Sequence, residues 1–330
     1  MRDYAAPWFR VRRQQGVDDT IHYGIVEPGS GRRHGFTIRH EQVDGVGAFM
    51  HLLRRLPLAS WQGVEGRPGV IPGLWQCWRQ QVPGPQYLAP QWRHRDPAPD
   101  ARQEQISLAW LTVADTAALR QQARAQRASL NALLLESCHE VVARHLLHGE
   151  AGTWFIPVTL RGSLRLPRDE MNHASGVYLP LPSALDMTVI HERIAAALKR
   201  NEHWWLWHQS RLVVSLGGHW LVRQVLRGLG KRRYLGSFSS MGEWQIDWRG
   251  SAYEDNALMW ACPPGSPNYP VAVCWLICNG RLVLNWKLNA SLGVSAARSE
   301  AMLQEWQQRL LARIPPSTTA TLSFKESCHA

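Results

Sequence analysis

The chain has 330 residues, 45% of them hydrophobic and 19% charged, enough to bury a core in one large or two moderate domains. That balance matches neither a disordered chain nor a polytopic membrane protein. The formal net charge of +11 favours an anionic partner: nucleic acid, anionic lipid, an acidic carrier protein or a nucleotide-bearing cofactor.

In chain order, the N-terminus MRDYAAPWFRVRRQQ carries charge where a secretory signal needs an apolar run, so the expected location is the cytoplasm. Short strands are expected at Trp8–Arg12 and His22–Val26, then a Gly-rich turn, a strand at Gly35–Arg39 and a helix from Val46 to Leu56. Residues 57 to 99 are dense in Pro, Gly, Trp and Gln and read as a long irregular connection. Regular structure resumes after Asp100. A strand is expected at Ile106–Val113 and helices at Asp115–Gln126 and Leu130–Leu147. Strands follow at Trp154–Leu160 and Gly176–Leu181, and a helix at Val189–Lys199. Further strands are expected at Tyr234–Ser239, Val271–Cys278 and Arg281–Leu288, the last two joined by an Asn279-Gly280 hairpin turn. A helix over Ser295–Arg313 closes the pattern, stopped by Pro315-Pro316. Interspersed strands and helices with a late hairpin predict an α+β fold in two layers, with no internal repeat.

Six cysteines, at 77, 138, 262, 274, 278 and 328, never form a CxxC pair and read as reduced, buried thiols. His139-Glu140 with His145 departs from HExxH, because the second histidine comes two residues late, so no metal is expected. Basic runs at 10 to 13, 93 to 95 and 230 to 233 come with no recognised nucleic-acid module, and nucleic acid is not an expected partner.

One motif points to chemistry. His40, Asp44 and Gly45 have the spacing H-x-x-x-D-G on a strand-to-helix turn. Such a turn can hold an imidazole at a cleft, and imidazole suits proton abstraction near neutral pH. Taken alone, the spacing fits a structural histidine and a helix-capping aspartate equally well.

Several ordered segments add to it. RHEQVDG resembles the HHxxxDG of the chloramphenicol acetyltransferase-like superfamily, especially its condensation-domain and wax ester synthase/diacylglycerol acyltransferase branches, with Arg39 in place of the first histidine. SLNALLLESCHEVVARHL is similar to the superfamily's polar-capped apolar helix, with Ala132 where aspartate is usual. WFIPVTLRG resembles its PV-x-LR strand, EMNHASGVYLPLP its GN-to-LPL segment and GSFSSMGEW its SN-x-G strand and loop. NGRLVLNWKLNASL resembles its closing hairpin. The likeness runs through most of residues 34 to 313.

The resemblance implies two-layer α/β sandwich subdomains of the coenzyme A-dependent acyltransferase type, with the active site at their interface. Residues 1–99 would form a shortened N-terminal subdomain plus connection, since only 39 residues precede His40, and 100–330 the second subdomain. Either the tunnel is then more open or another subunit completes it, as in a homo-oligomer. A thioester on coenzyme A or a carrier-protein phosphopantetheine would be the co-substrate, with no permanently bound cofactor. A hydroxyl or amine would be the acceptor. His40 would be general base, Asp44 a structural anchor for Arg161, Gly45 a backbone requirement of the turn, and Ser239 or Ser240 an oxyanion donor.

Asn201 to Arg233 combines Trp204, Trp205 and Trp207 with a basic end. It reads either as a core helix pair lining an acyl channel or as a helix at an anionic membrane face. Three functions are therefore open: an acyltransferase, a non-catalytic partner of an acidic carrier protein, and a peripheral lipid-binding protein.

Overall fold

The apolar runs joined by Asn279-Gly280 form β9 (Val271–Cys278) and β10 (Arg281–Leu288), paired antiparallel from Arg281 opposite Cys278 to Leu288 opposite Val271. Both turn residues take positive φ, 48° and 78°, which a two-residue hairpin demands and Asn-Gly supplies. Every residue of β9 is buried. Val271, Val273, Trp275 and Ile277 enter one core, and Cys274, Leu276 and Cys278 the opposite one, as the two-residue strand period requires.

These strands are the centre of a computed structural model that describes residues 4–81, 87–94, 106–183, 185–229 and 233–315. The large sheet runs β4 (Ile106–Trp110), β10, β9, β7 (Gly236–Asp247), β5 (Gly152–Thr159), β6 (Ala174–Leu181), with β3 (Ser60–Gln62) on β7. β7 lies parallel to both β5 and β9, and the other pairings are antiparallel. Helices α4 (Val113–Ala125), α5 (Leu130–Leu146), α6 (Met187–Lys199) and α8 (Ala296–Leu311) share one core with this sheet. Against the other face pack α2 (Gly45–Leu53) and a three-stranded sheet of β2 (Arg33–Arg39), β1 (Thr20–Val26) and β8 (Leu258–Cys262). Segments from both sides of residue 100 thus meet in each sheet. The result is an α+β fold.

Several elements depart from the sequence expectation. Trp8–Arg12 is not a strand but lies within helix α1 (Ala5–Gln14). The Trp8 indole donates to Ser210 O at 3.1 Å on α7 (Glu202–Leu229) and Val11 is fully buried, so packing against a helix decides the conformation. The connection at 57 to 99 contains β3 and α3 (Leu74–Arg79). β8 was not expected at all. The strand at 106 stops at Trp110, because Thr112 caps α4 by accepting from Asp115 N at 3.1 Å. Within the segment 201 to 233, α7 is two helical stretches that meet at a kink at Gly218, whose φ of 52° and ψ of −141° are not helical.

Cys77, Cys138, Cys262, Cys274 and Cys278 are free and buried, and burial pushes the Cys278 thiol up to about 12. Cys328 lies outside the described residues. Among the described residues, no helix is long and apolar enough to cross a membrane.

Candidate active site

The end of β2 delivers His40 to a turn, where its backbone N–H donates to Asp19 O at 2.8 Å. Glu41 on that turn accepts from Arg10 at 2.9 Å and Arg13 at 2.6 Å, which pins α1 beside the motif. Phe9 of α1 then stacks on the imidazole, with ring centroids 4.1 Å apart and planes at 14°. His40 lines a cavity of about 720 Å³, walled by α1, α7, the turn, and residues of β5, β6, β7 and 261–269.

Asp44 lines the same cavity, but its carboxylate is fully engaged. Its carboxylate caps α2 by accepting from Gly47 N at 2.8 Å. It also accepts two bonds from Arg161, Nη1 to Oδ2 at 2.6 Å and Nη2 to Oδ1 at 2.7 Å, and one from His173 N at 2.9 Å. Arg161 Nη2 donates further to Asp169 O at 3.0 Å. Asp44 and Arg161 are both buried. A two-pronged pair inside the protein is costly to form but far costlier to leave half-made, so it clamps the turn after β5 to the start of α2.

Gly45 departs from its expected role. Its φ is not left-handed, and a side chain there would meet only the flexible tip of Met241. The steric demand falls at Gly47, where a Cβ would lie 1.9 Å from Glu170 O. The motif's helix entry therefore needs its second glycine for close backbone approach.

Asn172 is the residue that sequence reasoning passed over. Its Oδ1 accepts from Ala174 N at 3.0 Å, which orients the amide so that Nδ2 donates to His40 Nδ1 at 2.9 Å. With that bond in place the neutral ring carries its proton on Nε2. For Nε2 to act as base, the proton must sit on Nδ1 and the Asn172 bond must be given up, and the backbone carbonyls of His40 and Val43 are near enough to the ring to favour a proton on it. Burial, the dominant cause, lowers the His40 pKa to about 4, against smaller raising effects from those carbonyls and Asp44. The imidazole is thus neutral across the physiological range.

Ser239 is buried and Ser240 exposed at the end of β7's paired stretch, and both line the cavity with Ser237. Ser237 and Ser239 share a strand face by period. A bulge after Ser240 brings it to the same rim. Phe155 of β5, Tyr178 of β6 and Tyr269 form an aromatic wall, backed by Tyr234, which stacks on Tyr178 at 4.9 Å and on Tyr269 at 4.7 Å. Neither this wall nor α1's contribution carries a motif that would have announced it.

Of the Trp-rich segment, Trp204 and Trp207 are buried with Leu160 and Leu164, and Leu206 and Trp207 line the cavity. Among the described residues of α7, the exposed large apolar side chains are Leu216 and Trp220. His139, Glu140 and His145 diverge: His139 accepts from the Trp154 indole, Glu140 pairs with Arg309 and His145 with Glu305. Four of the basic positions are tied internally, Arg10 and Arg13 to Glu41, Arg93 to Leu147 O and Arg233 to Asn268.

No protein-family model and no curated protein matches the chain by sequence. Solved structures do match by shape. The wax ester synthase/diacylglycerol acyltransferase from Marinobacter aquaeolei VT8 superposes with a TM-score of 0.51 at 14% identity, covering 85% of this chain and 67% of that one. The epimerization domain from the third module of tyrocidine synthetase B gives 0.50 at 14% identity, over 85% and 68%. The nonribosomal peptide synthetase FmoA3 gives 0.50 at 19% identity, over 86% of this chain and 31% of that longer one. The chain therefore has the fold of the coenzyme A-dependent acyltransferase type, shared by condensation and epimerization domains and wax ester synthases.

Proposed function

We propose that this fold serves acyl transfer here, from a thioester on coenzyme A or a carrier protein to a hydroxyl or amine, with His40 as the general base. The observation that carries the proposal is a neutral histidine on the wall of a cavity of about 720 Å³, bonded at Nδ1 and with no protein partner at Nε2 among the described residues. A base must be unprotonated at the atom it uses, so the ring serves once its proton sits on Nδ1, and the Asp44–Arg161 clamp holds the turn that presents it. The acceptor gives its proton to Nε2 as it attacks the thioester carbonyl. The tetrahedral intermediate then collapses with loss of thiolate, which recovers the proton. Ser239 or Ser240 would donate to the oxyanion, a role that usually contributes a few kcal/mol. A low pKa makes His40 a weak base, which suits a step driven by a good thiolate leaving group.

The test is free-thiol release and product mass across acyl-coenzyme A and acyl-carrier thioesters, each offered with hydroxyl and amine acceptors. Acceptor-dependent thiol release supports the proposal. Carrier-protein binding with no turnover on any thioester would instead make the chain a non-catalytic partner.

One observation favours an additional membrane contact. Leu216 and Trp220 on α7 are 79% and 67% exposed, close in sequence to Arg223 and Arg227, a composition suited to an anionic interface. Sedimentation with anionic vesicles at low salt tests it, and protein that stays in the supernatant counts against it.

A further inference from the structure

Arg12 lines the cavity from α1, and no carboxylate among the described residues pairs with it directly. The nearest carboxylates are engaged elsewhere: Asp19 lies 3.5 Å from Arg13, and Asp18 lies 3.5 Å from Lys287. Among the described residues, Arg12 has no ion-pair partner. Its guanidinium lies 5.5 Å from the centre of the Phe9 ring, the same ring that stacks on His40. Arg12 is half-buried; an arginine stays charged even where burial opposes it, and a partly desolvated cation with no ion pair carries a cost. Such a cation makes physical sense when a ligand anion completes it.

The groups around it fit that ligand. Tyr178 and Tyr269 line the same cavity as Arg12, and their hydroxyls lie 3.2 Å apart. Burial pushes the Tyr178 phenol up to about 12 and raises that of Tyr269 as well, so both remain neutral, and their mutual bond leaves one O–H free to donate. A planar guanidinium with a hydrogen-bonded hydroxyl pair that offers one free O–H matches an oxyanion.

We propose that Arg12, aided by Tyr178 and Tyr269, binds a carboxylate of the acceptor, so that the acceptor is a small hydroxy acid or amino acid. This rests on the acyl-transfer reading of the same cavity. The acceptor's nucleophile must reach His40, and one phenyl ring touches both His40 and Arg12, so the carboxylate sits within the span of a small molecule. The phosphates of coenzyme A do not suit this position, because the long pantetheine arm separates them from the reacting thioester.

The test is equilibrium binding, independent of turnover. The probes are 4-hydroxybutyrate, 3-hydroxybenzoate and L-serine, each against its neutral or carboxamide analogue, with free coenzyme A as a separate arm. The proteins are the wild type, Arg12→Gln, Arg12→Lys and His40→Ala, each checked for its fold by circular dichroism. At least one acid is expected to bind wild type and His40→Ala about tenfold tighter than its amide, as a charge-assisted contact implies. Arg12→Gln is expected to lose that preference while binding coenzyme A unchanged, and Arg12→Lys to keep part of it. No preference for any acid in the wild type, or a preference that survives in Arg12→Gln, overturns the proposal. Loss of coenzyme A binding in Arg12→Gln with no acid preference assigns the cation to the donor's phosphates and overturns it equally. Should Arg12→Gln fail to fold, the wild-type acid-to-amide comparison and Arg12→Lys still decide. Failure of the acyl-transfer reading shows separately, as absent turnover beside an intact acid preference.

Discussion

Four residues apart on one turn, Asp44 and His40 stand in opposite conditions. The aspartate is buried with each oxygen accepting two hydrogen bonds, while the histidine has a partner at Nδ1 and at Nε2 has none among the described residues. Charge is thus spent on holding the turn, and the neutral group is left for chemistry. A closed carboxylate beside an open imidazole separates scaffolding from reaction in a motif that reads as a single unit in sequence.

The largest effect expected from breaking this contrast is at Arg161. Arg161→Met leaves Asp44 buried without its cation, and urea denaturation should show a loss of about 3–5 kcal/mol. A loss below 1 kcal/mol would mean that the clamp is unimportant. The steric half of the turn is sharpened by a pair of glycines. Gly47→Ala should destabilise clearly more than Gly45→Ala, because one meets backbone at Glu170 and the other a movable methionine tip; matched thermal melts compare them.

On the open side, Asn172→Asp should raise the His40 pKa toward neutrality by placing a carboxylate against Nδ1. An NMR titration of the imidazole reads this directly, and an unmoved pKa would show that Asn172 does not govern the ring. Ser239→Ala, the smallest effect, should lower turnover by about tenfold to a few hundredfold while leaving stability within about 0.5 kcal/mol. If Ser239→Ala is silent and Ser240→Ala is not, the oxyanion role moves one residue along β7.

Acid lability follows from the same burial. His40 and His139 both have folded-state pKa values lowered to about 4, below the ordinary value of about 6.5. The unfolded chain therefore binds protons first. Stability from these groups is full above about pH 6.5 and is lost as the pH falls toward 4.

Much of the fold was legible because its signals are local. The Asn279-Gly280 hairpin, the β9 and β10 runs and the Ser129-capped helix α5 each carry their instruction within a few residues. α1 was misread because Trp8, Phe9 and Val11 with intervening arginines suit a strand as well as a helix, and only contact with α7 decides. β8 was missed because it is a short run, LMWAC, defined by its pairing with β1 across more than two hundred residues. The same division holds at the site. His40, Asp44 and Arg161 sit in motifs, whereas Phe9, Arg12 and Asn172 reach His40 or its cavity through tertiary placement that no spacing encodes.

The central claim is that His40 is the base of an acyl transfer, and it is tested most directly by acceptor-dependent thiol release measured from pH 4 to 8 with wild type and His40→Ala side by side. The account predicts a wild-type rate that holds from pH 8 to about 5, where the imidazole is unprotonated, and falls as the pH drops through about 4. It predicts a His40→Ala rate lower by about a hundredfold or more across the plateau. Equal rates in the two proteins would contradict it.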